Sequence, residues 1–179
     1  MQFDDVLHFW FDQLTPQQHF VQDDAVDSLI RQRFAATWQA ARQCELSAWR
    51  ASADGRLAEI IVLDQFSRNL HRGSPLAFAQ DSTALALAQE LVAGQHDRAL
   101  PPVRRAFAYL PYMHSESPAI HEQAMVLFDQ PGLEHNLGFE VQHRDIIARF
   151  GRYPHRNAVL GRTSTPEEAE FLQQPGSSF

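Results

Sequence analysis

The sequence predicts an all-α fold, a single domain of about seven to nine helices, on three observations. Apolar residues recur at spacings of three and four through most of the chain. No run alternates apolar and polar residues as a half-buried strand would. The interruptions are short proline- and glycine-bearing turns, without linkers or low-complexity segments.

Each helix then follows in order. Val6, Phe9 and Trp10 mark the first, with Pro16 after its end. From Asp23 a long amphipathic helix carries Val26, Leu29, Ile30, Phe34, Trp38 and Ala41. Leu46 to Arg50 reads as a short helix, with Cys44 a plain residue at the preceding helix end. Leu57 to about Arg68 forms another, broken by Gly73 and Pro75. Asp81-Ser82-Thr83 offers caps for a helix with Leu85, Ala88, Leu91 and Val92 inside, and Gly94 suits a left-handed end. Pro101-Pro102 opens a segment with Val103, Phe107 and Leu110 on one side, disturbed near its end by Pro111. Ser117-Pro118 fits N-cap and N1 of a helix to about Asp129, and Pro131-Gly132 turns the chain. Phe139, His143, Ile146, Ile147 and Phe150 share one helix face, closed by Gly151. Thr165-Pro166-Glu167-Glu168 has the form of a capping box. The domain is expected over residues 1–172, with 173–179 a loose tail.

Composition removes several function classes. The formal charge is −7, so the bulk field opposes nucleic acid and anionic membranes. All 15 basic residues are arginine. Without lysine there is no Schiff-base amine and no P-loop lysine. One cysteine permits no intrachain disulfide, and a reducing cytoplasm is the expected setting. The acidic, aromatic start lacks the parts of a signal peptide. No apolar run approaches the roughly 18 residues of a membrane span.

Against this acidic background RFGRYPHRNAVLGR, residues 149–162, holds four arginines, a histidine and no acid. Arginines on a proline-stiffened loop are pre-organised to clamp a carboxylate or phosphate. His155-Arg156-Asn157 can open a short helix whose amides also favour anions. Equally, these arginines can serve to satisfy acids such as Asp64 and Glu116, and helix-end carbonyls. Asp64 stands on an apolar face with Arg68 four residues on, either an inter-helix ion pair or an acid–base group in a pocket. His143 lies on an apolar helix face. His114 and Glu116 flank a junction between helices, where a histidine can move protons and a carboxylate can orient it. His114, Glu116, His121 and His143 together suggest oxygen and nitrogen ligands, but no metal-binding spacing accompanies them.

Three segments carry a family likeness: VLDQFSRNLHRGSPLAFAQDSTALALA (62–88), FAYLPYMHSES (107–117) and HRDIIARFGRYPHRNAVLGRTSTPEE (143–168). With VLHFWF of the first helix, they resemble the bacterial family called domain of unknown function 924 over nearly the whole chain. The resemblance implies an all-helical fold of antiparallel helix pairs, tetratricopeptide-like, and implies no reaction. The family's motifs fall on Asp64, Gln65, Phe66, Arg68 and Asn69; on His114, Ser115 and Glu116; and on His143, Arg149–Arg152, Pro154–Asn157 and Arg162. The family usually has phenylalanine where this chain has Tyr153, and proline where it has Ser67.

Two functions follow. In the first, the motifs converge on one pocket for a small anionic ligand, with acid–base catalysis available. His114, Glu116, His143 and Asp64 would be the catalytic candidates. Arg68, Arg149, Arg152, His155, Arg156 and Asn157 would be the ligand-binding ones. Arg152→Ala would then weaken binding and spare stability. In the alternative, helix pairs form a tetratricopeptide-like module for an acidic peptide or protein. Trp10, Trp38 and Trp49 would then be its candidate anchors, and the polar motifs structural. Neither calls for a cofactor, a metal, nucleic acid or a membrane, and the oligomeric state stays open.

Overall fold

The computed structural model describes residues 1–177. It is all-α, and among the described residues there is no strand. The α-helices are α1 (Phe3–His8), α2 (Asp24–Arg42), α3 (Ala53–Ile61), α4 (Ser67–Leu70), α5 (Asp81–Ala93), α6 (Pro102–Met113), α7 (Pro118–Phe128), α8 (Glu134–Phe150) and α9 (Pro166–Phe171). A π-turn over Phe9–Gln13 extends α1, and another over Val62–Phe66 joins α3 to α4 into one rod. Short 3₁₀ turns fill most of the connections.

The α3–α4 rod is the axis of the molecule. From Leu57 through Ser67 every residue is buried, as expected of a helix surrounded on all sides. It packs against α1, α5 and α6, and its π-turn packs against α2. Leu57, Ile60, Ile61, Leu63 and Phe66 interlock there with Phe9, Trp10 and Phe34. Each such side chain contributes about 1.5–3 kcal/mol on burial. From α5 to α8 consecutive helices pack on one another, α5 on α6, α6 on α7, α7 on α8. A small second core of Ile146, Ile147 and Tyr153, with Phe150 and Phe171 against it, joins the end of α8 to the C-terminal segment.

Several local expectations change in detail. Gly94 ends α5 at φ −79°, and Gln95 takes the left-handed conformation at φ 56° instead. Asp81 is the first residue of α5, Gln80 precedes it as N-cap, and the Asp81 side chain is committed elsewhere. Helix α6 runs past Pro111: the Phe107 carbonyl loses its amide donor, but the ladder resumes with His114 N–H donating to Leu110 O at 2.9 Å. Cys44 lies in the turn after α2, exposed and at φ 59°. Asp23 caps α2, Gly151 ends α8 at φ 69°, and Thr165 and Glu168 form the capping box of α9. Of residues 173–179, the Ser177 hydroxyl folds back to donate to Leu172 O at 3.2 Å, and 178–179 lie outside the described residues.

Candidate functional site

The site begins where the central rod widens. In a π-turn the backbone takes an extra residue per turn, and such bulges recur at functional sites. Asp64 sits in the middle of one, wholly inside the protein. Its Oδ1 lies 2.7 Å from His114 Nδ1 and 3.1 Å from Arg68 Nη1, and its Oδ2 accepts from Gln65 Nε2 at 2.6 Å. Burial pushes the Asp64 carboxyl up, but Arg68 and His114 outweigh it and hold it well below the usual carboxylate range. An ionised carboxylate only accepts, so His114 Nδ1 carries the proton and Nε2 the lone pair. Nε2 has no protein hydrogen-bond partner among the described residues. Burial lowers the His114 pKa, and the nearby Asp64 charge offsets this only in part, so the ring is neutral at physiological pH.

His114 opens onto a cavity of about 300 Å³ between the start of α5, the end of α6 and the segment after α8. Asp81, Ser82, Ser115, Glu116 and Arg156 line it with His114, and Pro75, Phe78, Ala79, Leu85, Pro111 and Leu160 supply the apolar wall. Asp81 is the residue sequence reasoning missed, having read it as a helix cap. It takes both Nη groups of Arg68, at 3.0 and 3.1 Å, and Nη1 of Arg156 at 3.3 Å. Arg156 is 6% exposed, with its guanidinium carbon 4.7 Å from the Phe78 ring centre and 4.5 Å from that of Tyr153. Its Nε is buried without a hydrogen-bond partner, and burial with the nearby Arg68 charge lowers its pKa. A shallower depression at Asp27 is less suggestive, because Asn69 and Arg72 already fill that carboxylate with three bonds of 2.8 Å.

The structure divides the other candidates instead of gathering them. Glu116 edges the cavity, yet its carboxylate accepts from Tyr153 N–H at 2.8 Å and from both Nη groups of Arg162, at 2.6 and 2.9 Å. Burial raises the Glu116 pKa, but these donors win and hold it low. Arg152 donates to both oxygens of Glu168, at 2.6 and 2.8 Å, and to Thr163 O. Asn157 donates to Ser164 Oγ and Glu168 and accepts from Arg162. Arg149 pairs with Glu167 at 2.8 Å on the surface. These three tie the C-terminal segment together and lie outside the cavity lining. His143 packs edge-on to Tyr153 with Nδ1 2.8 Å from Phe139 O, and burial lowers its pKa to about 3. His155 also packs against Tyr153, and burial with the adjacent Arg156 charge lowers it to about 4. Neither ring lines the cavity. Among the described residues no group of three or more His, Cys, Asp or Glu side chains is placed to hold a metal ion.

The comparisons with known proteins agree with this fold. The family model described as "Bacterial protein of unknown function (DUF924)" matches residues 6–176. The chain belongs to this family. None of the curated proteins matches it. A solved structure of a protein of unknown function from Agrobacterium tumefaciens is similar, at 37% identity over 96% of each chain and a TM-score of 0.87.

The segments that carry the DUF924 likeness are the ones that touch. Asp64 and Arg68 meet His114, and Glu116 meets Tyr153 and Arg162. Ser67, where the family usually has proline, accepts from Trp38 Nε1 at 2.8 Å and donates to Leu63 O. Tyr153, where phenylalanine is usual, donates its hydroxyl to Met113 O. Behind it His121 and Glu140, both fully buried, approach to 2.6 Å, while His121 Nε2 lies 2.9 Å from Ser115 O. Tyr153 and His121 thus brace the carbonyls on either side of His114. The His121–Glu140 pair is not legible in the sequence, because its members are 19 positions apart on different helices.

Proposed function

We propose that the cavity binds a small anionic ligand and carries the acid–base group to act on it. His114 is the proton acceptor, Asp64 its orienting partner and Arg156 the anion anchor. One observation supports this above the rest: a neutral histidine, fixed through Nδ1 by a buried carboxylate, shares a cavity with a buried guanidinium whose Nε has no partner. In the step envisaged, Nε2 takes a proton from the ligand and the Asp64 charge stabilises the resulting imidazolium. Such a group typically contributes about 10²–10⁴ in rate.

The alternative, a tetratricopeptide-like interaction module, has less behind it. Trp10, Trp38 and Trp49 are all buried, so none is an anchor on an open groove. A cytoplasmic setting belongs to the proposal. No helix among the described residues is long and apolar enough to cross a membrane.

The test is a thermal-shift screen of the purified protein with phosphates, nucleotides, mono- and dicarboxylates and acidic peptides, repeated on His114→Gln. A ligand at about a hundredfold its Kd adds roughly 2.7 kcal/mol, or several degrees. Stabilisation by a small anion that changes in His114→Gln supports the cavity. Stabilisation by acidic peptides alone transfers the case to the interaction module, and a flat response to every small anion refutes the proposal.

A further inference from the structure

Resting on the reading of this cavity as a small-ligand site, we infer that its ligand is a monoanion with an apolar body, a medium-chain or aromatic monocarboxylate that also carries the acidic proton His114 would take. Polyphosphates, nucleotides and dicarboxylates are the classes it disfavours.

The argument is an inventory of charge. Arg68 spends its donors on Asp64 and Asp81, Arg162 on Glu116 and Asn157, Arg152 on Glu168, and Arg149 on Glu167. The arginine-rich segment therefore does not deliver a cluster of open cations. Arg156 is the least committed of its arginines: it lines the cavity, its one side-chain hydrogen bond is a long contact of 3.3 Å to Asp81, and its Nε, closed to solvent in this structure, has no partner. His114 is neutral and adds no second cation. Two carboxylates, Asp81 and Glu116, stand on the same lining. A ligand with a second negative charge meets one or both of them without a further open guanidinium to offset the repulsion. A single carboxylate on Arg156 displaces only the weak Asp81 contact, and Asp81 keeps both Nη groups of Arg68 as counter-charge.

The rest of the lining says what the anion is attached to. Phe78, Leu85, Pro111 and Leu160 form an apolar wall beside Arg156. An inorganic anion would leave that wall unused. At about 300 Å³ the cavity is at the small end of ligand sites, which run from about 300 to 1,000 Å³. A short hydrocarbon chain or one aromatic ring suits both the size and the surface.

Calorimetric titration at pH 7.5 with acetate, butyrate, hexanoate, benzoate, hexanamide, hexanedioate and inorganic phosphate tests the inference. Affinity is expected to rise about fourfold per added methylene until the cavity is full, the equivalent of ~0.8 kcal/mol for a buried CH₂. Hexanamide and hexanedioate are expected to bind at least about tenfold more weakly than hexanoate, the scale of a lost charge-assisted hydrogen bond. Arg156→Ala removes a buried charge and risks the fold, so Leu160→Trp on its partly exposed turn is the second variant. It fills the apolar end and leaves every ion pair in place. It should weaken hexanoate and benzoate about tenfold or more, the scale of displaced apolar burial. Phosphate or hexanedioate binding as tightly as hexanoate, or affinity flat with chain length, would overturn the substrate class while leaving an anion site. No binding by any probe would overturn the site itself.

Discussion

His114 Nδ1 stands 2.7 Å from Asp64 Oδ1 across 50 positions of sequence, at the meeting of the central π-turn with the end of α6. The contact makes Asp64 a determinant of the state of His114. Removing its charge takes away what holds the histidine pKa up, leaving burial and Arg68 to press it further down. Asp64→Asn is thus expected to lower the His114 pKa, read from the imidazole C2 proton in an NMR titration. It should also cost about 1–3 kcal/mol in urea unfolding, the scale of a lost charge-assisted hydrogen bond, because Arg68 loses Asp64 but keeps Asp81. A rise in the His114 pKa would rule out the ionised-Asp64 assignment.

Arg152→Ala reverses its sequence-based expectation. Both oxygens of Glu168 receive Arg152, and Glu168 is 2% exposed at the start of α9. That pairing, more than any other contact, lowers the Glu168 pKa to about 2. The variant removes the main partner of that carboxylate and leaves it only Thr165 N–H and Asn157, so a lower urea midpoint is expected, with small-anion affinity unchanged. Intact stability combined with lost binding would return Arg152 to the ligand site.

These two residues show what was legible. Helix periodicity exposed the rods because 3.6-residue spacing is local, and Asp64 with Arg68 stood out as charge on an apolar stripe. The segments bearing His114, Glu116 and Arg156 were visible as unusual composition. Pairing was not legible. Whether Arg152 meets a ligand or Glu168 depends on where α9 docks, 16 positions on. Asp81 looked like a cap because acid at a helix start usually is one. The π-turn leaves no periodicity signal in five residues that are all buried.

Two histidines, buried His143 and half-buried His155, set an acid limit on stability. His143 titrates at about 3 and His155 at about 4 when folded, both lowered by burial, against about 6.5 unfolded. Between those values the unfolded chain binds more protons, so stability rises with pH across that window. Each group contributes full stability above about pH 6.5 and loses it as the pH falls, at up to about 1.4 kcal/mol per unit. Urea midpoints measured from pH 7 to 4.5 should fall steadily, and His143→Gln should flatten the slope. An identical slope in that variant would show that His143 is not held neutral.

Glu140 has the opposite linkage. Burial raises its pKa, and the His121 contact only partly counters that. The folded state therefore binds its proton more tightly than the unfolded one, and the contribution of Glu140 declines as pH rises through the folded pKa. Its Oε2 has no hydrogen-bond partner, a smaller cost for a neutral carboxylic acid than for a carboxylate. Glutamine preserves the neutral shape and never ionises. Glu140→Gln should therefore gain stability relative to wild type as the pH rises from 5 to 8. Denaturant unfolding of both proteins across that range decides it. A gap that widens against the variant with rising pH would mean that His121 carries the charge and holds Glu140 ionised as its partner.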